Sequence, residues 1–213
     1  MSLLIGEVEH EEVMYAIGAP TTQEGLLPGL LNYYKGSVAE ALMKHYTGKH
    51  PDVETMYTGI VTDVQVRATT RNFAKALVDG GVPIRDIYRY RISLPIKAED
   101  DKLLGPHAEK FKGKVVHAFD FLHWWYDTHR DHGNSRYTKR VGFTPEEDSA
   151  IREWLKPFAQ FVKGEEVAWG TENIAQFRHL TEDARVEVVE DSYWSRLMDT
   201  AAVLRQSLSL NVG

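Results

Sequence analysis

The chain has 213 residues, 43% of them hydrophobic and 26% charged, and its 25 basic and 31 acidic side chains give a net charge of −6. That composition supports a packed core, in one domain or two small ones, and excludes disordered and collagen-like chains. The acidic balance leaves no footprint for nucleic acid, no apolar run approaches the roughly 20 residues of a membrane span, and zero cysteines exclude disulfides, thiol nucleophiles and thiolate metal sites.

Leu3-Leu4-Ile5-Gly6 reads as a short buried strand ending at a glycine, without the basic start and apolar stretch of a signal peptide. A chain opening directly on a core strand is expected to come from within a longer fold. Gly18-Ala19-Pro20-Thr21-Thr22 is a turn. Over 36–46, Val38, Leu42 and Met43 fall at helical spacing, with Ser37 as the expected N-cap. Gly48-Lys49-His50-Pro51 breaks that helix. A longer helix is expected over 53–78, ended by Gly80-Gly81 and Pro83. Apolar and polar residues then alternate over 84–92, which predicts a strand. The Lys-, Pro- and Gly-rich stretch 94–114 predicts a loop.

Phe143-Thr144-Pro145-Glu146-Glu147 is the clearest helix start: Thr144 can cap, Pro145 suits the first helical position and Glu147 closes a capping box. Ile151, Trp154, Leu155, Phe158, Phe161 and Val162 continue at three- and four-residue spacings until Gly164. A short strand over 186–189 and a terminal helix over 192–204 complete the series. Strands alternating with helices predict an α/β layered fold.

Two segments carry candidate chemistry. Glu7, Glu9, Glu11 and Glu12 follow the first strand, at the end where α/β folds place their sites; the plain alternative is a solvated acidic loop. His117 follows Val115-Val116, precedes aromatic residues, and has Asp120 three residues on. It suits a general base; the plain alternative is a half-buried structural histidine. His123, Asp127, His129, Asp131 and His132 form a possible cation cluster. His129 and His132 can share a helix face, but a protein site needs a third or fourth ligand, and Arg130 and Gly133-Asn134-Ser135 point to an exposed loop. No metal and no other cofactor is expected. His45 and His50 flank a turn and read as surface residues.

Taken together, the two segments resemble the type-B carboxylesterase/lipase family, the cholinesterase-like branch of the α/β-hydrolases. The family has a strand ending Ile-Gly, an Asp-Glu-Gly carrying the triad acid, an aromatic and then Gly-Ala-Pro. Here Ile5-Gly6, His10-Glu11-Glu12, Met14-Tyr15 and Gly18-Ala19-Pro20 stand in the same order. Glu11 takes the acid's place, and Glu12, the other carboxylate open to that role, replaces the usual glycine. Thr62-Asp63-Val64-Gln65-Val66-Arg67-Ala68 is similar to a family helix entry, and Ile87-Tyr88-Arg89-Tyr90 to its Tyr-x-Tyr strand. His117-Ala118-Phe119-Asp120-Phe121 matches the histidine segment, with Ala118 for glycine and Asp120 for glutamate. Gly113 stands one residue farther from the histidine than the family's glycine. The Phe143-Thr144 helix and Trp169-Gly170 are similar to further family motifs.

The resemblance covers nearly the whole chain but only the family's C-terminal portion. It implies one domain over 1–213, a partial, mostly parallel sheet flanked by helices. It also implies an ester hydrolase in which Glu11 and His117 are triad acid and base. In chain order Ser precedes acid and histidine, yet only Ser2 precedes Glu11, and no Gly-x-Ser-x-Gly exists anywhere. The nucleophile and oxyanion hole are therefore expected in a missing N-terminal part, leaving this chain inactive alone. The resemblance implies a small-molecule carboxylic ester as substrate of the intact enzyme. Phe119, Trp124, Trp125 and Tyr126, near the base, are candidate substrate-lining groups, with core packing the competing role for the two tryptophans. An open sheet edge is expected to favour self-association. The alternative reading is a non-catalytic interaction or adhesion module with the same fold. No compartment is indicated.

Overall fold

The computed structural model describes residues 2–95, 97–98, 108–118, 120–124 and 141–209. In chain order the elements are β1 (Leu3–Val8), α1 (Glu12–Tyr15), α2 (Gln23–Leu31), α3 (Gly36–Tyr46) and α4 (Val53–Thr62). A π-helical turn (Asp63–Arg67) and α5 (Ala68–Asp79) continue that helix, and a 3-10 turn (Ile84–Asp86) precedes β2 (Ile87–Ile92). The rest are β3 (Lys97–Ala98), α6 (Ala108–Phe111), α7 (Asp120–Trp124), β4 (Val141–Gly142), α8 (Pro145–Lys163), β5 (Gln176–Leu180), β6 (Val186–Glu190) and α9 (Trp194–Ser209). They divide into two compact units. None of the described helices is long and apolar enough to cross a membrane.

The first unit joins Met1–His10 to Pro83–Glu190. Its sheet has the order β1-β2-β5-β6, with β1, β2 and β5 parallel and β6 antiparallel to β5. This is the mostly parallel arrangement predicted, with α8 against β5 and β6. Thr144 Oγ1 accepts from the Glu147 amide at 3.2 Å and Glu147 Oε2 from the Thr144 amide at 2.7 Å, so the capping box forms as read. Helix α8 ends on Gly164 at φ 69°. It buries Ile151 and Trp154 against Val8, Ile92, Leu94 and Leu180.

Two strand readings need correction. β1 runs through Gly6 to Val8 instead of stopping at the glycine. The glycine is there because Tyr90 crosses it: a Cβ on Gly6 would lie 2.4 Å from both the Tyr90 ring carbon Cγ and its carbonyl oxygen. Leu3, Leu4 and Ile5 are half-buried, not buried. The strand predicted over 84–92 begins only at Ile87, because Asp86 N–H donates to Pro83 O at 2.9 Å and closes a 3-10 turn over Ile84–Asp86.

The second unit joins Glu11–Val82 to Asp191–Gly213 and is helical. Leu26, Leu30, Leu42, Tyr46, Ile60 and Val61 form its core. The helix expected over 53–78 is present, interrupted by the π turn. Helix α3 matches its expected range, but Lys35, not Ser37, occupies the cap position. Arg71 Nε donates to Asp191 Oδ2 at 2.7 Å, and both side chains are fully buried, so the pair ties α5 to the start of α9. Helix α2 lacks a sequence-level prediction, and α9 runs to Ser209, beyond its predicted end.

Candidate active site

In the first unit, polar groups gather at the C-terminal ends of the parallel strands, where open α/β sheets carry their sites. Glu7, in β1, is buried and accepts from Arg91 of β2 through Nε at 2.9 Å and through Nη2. Arg91 also stacks over Phe177 of β5 at 4.4 Å and lies 3.8 Å from Glu9. Two residues farther along, just past the end of β2, Ser93 Oγ is 2.7 Å from His179 Nε2 and donates to Glu9 Oε2 at 3.1 Å. Burial, and next the Arg91 charge, hold the His179 imidazole below its ordinary pKa. The sequence singled out neither Ser93 nor His179, which stand 86 residues apart. Only the alignment of β2 with β5 brings them together. The acidic segment is thus no solvated loop: Glu7 and Glu11 are 5% and 4% exposed.

His117 follows directly on a pairing. The amide of Glu9 donates to Ile92 O at 2.9 Å and that of His10 to Val115 O at 3.0 Å, setting His10 in a parallel bridge with Val116. Glu11 is the next residue after His10, and His117 the next after Val116. His117 is exposed, on a turn whose following residue, Ala118, has φ 67°, the left-handed region that favours glycine. The residue standing where the resemblance expects glycine therefore keeps a glycine-type backbone. After the turn, Asp120 accepts from Tyr90 OH at 3.0 Å and opens α7.

In the second unit, Glu11 stands in the N-cap position of α1, and its charge is, after burial, the second cause raising the Tyr15 phenol. Glu12 pairs with Arg67 at 3.0 Å. Of the proposed substrate-lining residues, Trp124 packs against Trp154 and Phe158, with ring centroids 4.0 and 4.2 Å away, as part of the aromatic core. Phe119, Trp125 and Tyr126 lie outside the described residues. In the proposed cation cluster, His123 is fully buried with Nε2 3.0 Å from Leu94 O. Asp127, His129, Asp131 and His132 lie outside the described residues.

No protein-family model matches the chain. It is 34% identical over 203 residues to an uncharacterized esterase/lipase of Schizosaccharomyces pombe. It is also 30% identical over 205 residues to a carboxylic ester hydrolase of Gibberella moniliformis. Each alignment takes in 90% of this chain and 34% of the relative, so the chain spans about one third of the length of these curated relatives. Juvenile hormone esterase from Manduca sexta, solved with OTFP covalently attached, superposes with a TM-score of 0.62 at 15% identity. That match covers 97% of this chain and 41% of the esterase. The fold is that of part of an α/β-hydrolase, and over 90% of its length the chain is similar to two proteins named for ester hydrolysis.

Proposed function

We propose that this chain is the C-terminal portion of a type-B carboxylesterase/lipase domain and contributes the acid and the base of a serine hydrolase triad. The observation that carries the reading is the relatedness, over 90% of the chain, to two fungal proteins named for ester hydrolysis. Three further features support it. The segment before Glu11 pairs with the segment before His117 through the His10–Val116 bridge. The glycine-type φ at Ala118 suits a histidine turn. Glu12 is engaged by Arg67, which favours Glu11 as the acid.

In the proposed reaction a serine outside these 213 residues attacks the ester carbonyl, forming the acyl C–O bond. His117 accepts the serine proton and returns it to the departing alkoxide, which leaves as the alcohol. Water then repeats the sequence on the acyl-enzyme, releasing the carboxylic acid and the serine. Glu11, bonded to the other imidazole nitrogen, fixes the tautomer and stabilises the imidazolium. Since no Gly-x-Ser-x-Gly occurs in the sequence, the chain by itself has no nucleophile elbow and is expected to hydrolyse no ester at a useful rate.

The test replaces the corresponding third of the Schizosaccharomyces pombe relative by this chain and follows p-nitrophenyl ester hydrolysis. Activity in the chimera that falls by at least about three orders of magnitude in His117→Ala supports the reading. A folded but inactive chimera favours the competing one, a non-catalytic interaction module. That competitor draws on the absent serine motif and on Glu12 and Ala118 at two expected glycine positions.

A further inference from the structure

The helical unit contains a cavity of about 270 Å³ lined by neither Glu11 nor His117. Its wall is made by His45 and Tyr46 of α3, Lys49 and His50 after it, the π turn, and Arg196 of α9. Asp63, the first residue of the π turn, is 1% exposed and organises the floor. It accepts from Tyr46 OH at 2.6 Å and from Arg196 Nη1 on the same oxygen, while Arg67 Nη1 stands 3.9 Å away. The Tyr46 ring is stacked on His50 at 5.6 Å and 19°. That stack requires a glycine behind it, since a Cβ on Gly59 would lie 2.8 Å from the His50 ring.

The wall carries three permanent cations, Lys49, Arg67 and Arg196, against the single carboxylate of Asp63, which Arg196, Arg67 and Tyr46 already engage. Glu12 takes a second contact of Arg67 at 3.0 Å. Asp52 acts on His50 and Asp199 on His45, but neither lines the cavity. The positive surplus is therefore local to the wall. Arg196 retains 40% exposure of its side chain, so its guanidinium is fixed by Asp63 at one edge and still reaches solvent. A guanidinium braced by a buried carboxylate, beside the ammonium of the exposed Lys49, is a strong donor set for an oxyanion. Donors approaching from three separate elements suit four tetrahedral oxygens better than a planar carboxylate. π turns recur at functional sites, and this one supplies both Asp63 and Arg67.

We propose that this cavity binds a phosphate group, either free phosphate or the phosphoryl end of a phosphomonoester, with Arg196 and Lys49 as its direct ligands. The proposal is independent of the esterase reading. Burial holds the His45 and His50 imidazoles below their ordinary pKa, so both are largely neutral near pH 7. A bound dianion draws their titration midpoints upward, which gives a readout inside the cavity.

The test follows the histidine C–H signals of the full chain by NMR during addition of inorganic phosphate, and separately of phenyl phosphate, at constant ionic strength balanced with chloride. Saturable shifts at His45 and His50 with a Kd of about 1 mM or tighter, weakened about tenfold in Lys49→Gln, support the site. Tighter binding of phenyl phosphate assigns a phosphomonoester, and equal binding assigns free phosphate. Arg196→Gln abolishes binding but leaves Asp63 without its main partner, so the Lys49 variant carries the test. Shifts that do not saturate, that chloride reproduces, or that Lys49→Gln leaves unchanged overturn the proposal.

Discussion

Tyr90 donates its phenolic hydrogen to Asp120 at 3.0 Å, and so ties the second strand of the sheet to the helix that follows the His117 turn. Its ring meets Trp124 of the same helix edge-on at 5.0 Å. Removing the hydroxyl in Tyr90→Phe leaves Asp120 short of a partner and is expected to cost about 1 kcal/mol. Gly6→Ala, which drives a methyl into the Tyr90 ring and carbonyl, is expected to cost about 3 kcal/mol or to prevent folding. Urea unfolding measures both. A neutral Gly6→Ala would show that the two strands separate more easily than their register implies.

Ala118 pays for its left-handed φ of 67° with Cβ crowding that glycine lacks. Ala118→Gly is expected to stabilise the chain by roughly 1 kcal/mol, the relief of that crowding exceeding the greater chain entropy of glycine. A fall in the urea midpoint would mean that the alanine methyl makes a contact outweighing its backbone cost.

Ser93 and His179 stand at a nucleophile–base distance, 2.7 Å, but the carboxylate of Glu9 bonds the serine and not the imidazole. The order of a catalytic relay is thereby broken, since the acid must orient the base. Fluorescent fluorophosphonate is expected to leave the chain unlabelled. Label that disappears in both Ser93→Ala and His179→Gln would instead identify an activated serine within these residues.

Burial and Arg91 hold the His179 imidazole below its ordinary pKa, against the opposing charges of Glu9, Glu187 and Asp183. An unfolded histidine takes up its proton near pH 6.5, while the folded one resists it to lower pH. Between those values the unfolded state binds more protons, so stability is greatest above pH 6.5 and declines as pH falls through that range. His45 and His50 act in the same direction. The urea midpoint is therefore expected to drop between about pH 7.5 and about pH 5.5, and His179→Gln to reduce the slope without abolishing it. A midpoint that rises on acidification would contradict the sign.

Arg71 and Asp191 are both fully buried, 2.7 Å apart and 120 residues distant in sequence. Asp191→Ala strands a buried guanidinium and is expected to cost about 3–5 kcal/mol. A double variant, Arg71→Met with Asp191→Ala, recovers part of that loss if the uncompensated charge is its source. Equal unfolding midpoints for the single and double variants would place the loss elsewhere.

Elements with local chemistry were the legible ones. Thr144, Pro145 and Glu147 announce α8 within four residues, and the capping box forms on those atoms. Helix α2 was hidden by Gly25, Pro28 and Gly29 in its body, although Thr22 Oγ1 accepting from Gly25 N–H marks its start. β5 has little alternation of its own and exists because β2 and β6 flank it. The same cause hid Ser93 and His179, whose meeting depends on strand pairing. His117 and Glu11 stand out through their motifs, whereas Gly6 reads as a strand end because its reason, the Tyr90 ring, lies 84 residues away.

The π turn lets its helix carry one extra residue without losing phase, because its five residues turn through about the angle that four cover in an α-helix. Deleting a single residue between Asp63 and Arg67 is therefore expected to restore ordinary winding and leave α5 in register, with Arg71 still facing Asp191. Deleting Thr69 or Thr70 instead, where no wide turn takes up the change, rotates Arg71 by about 100° away from Asp191. The same change of length is absorbed at one point of this helix and ruinous one turn later.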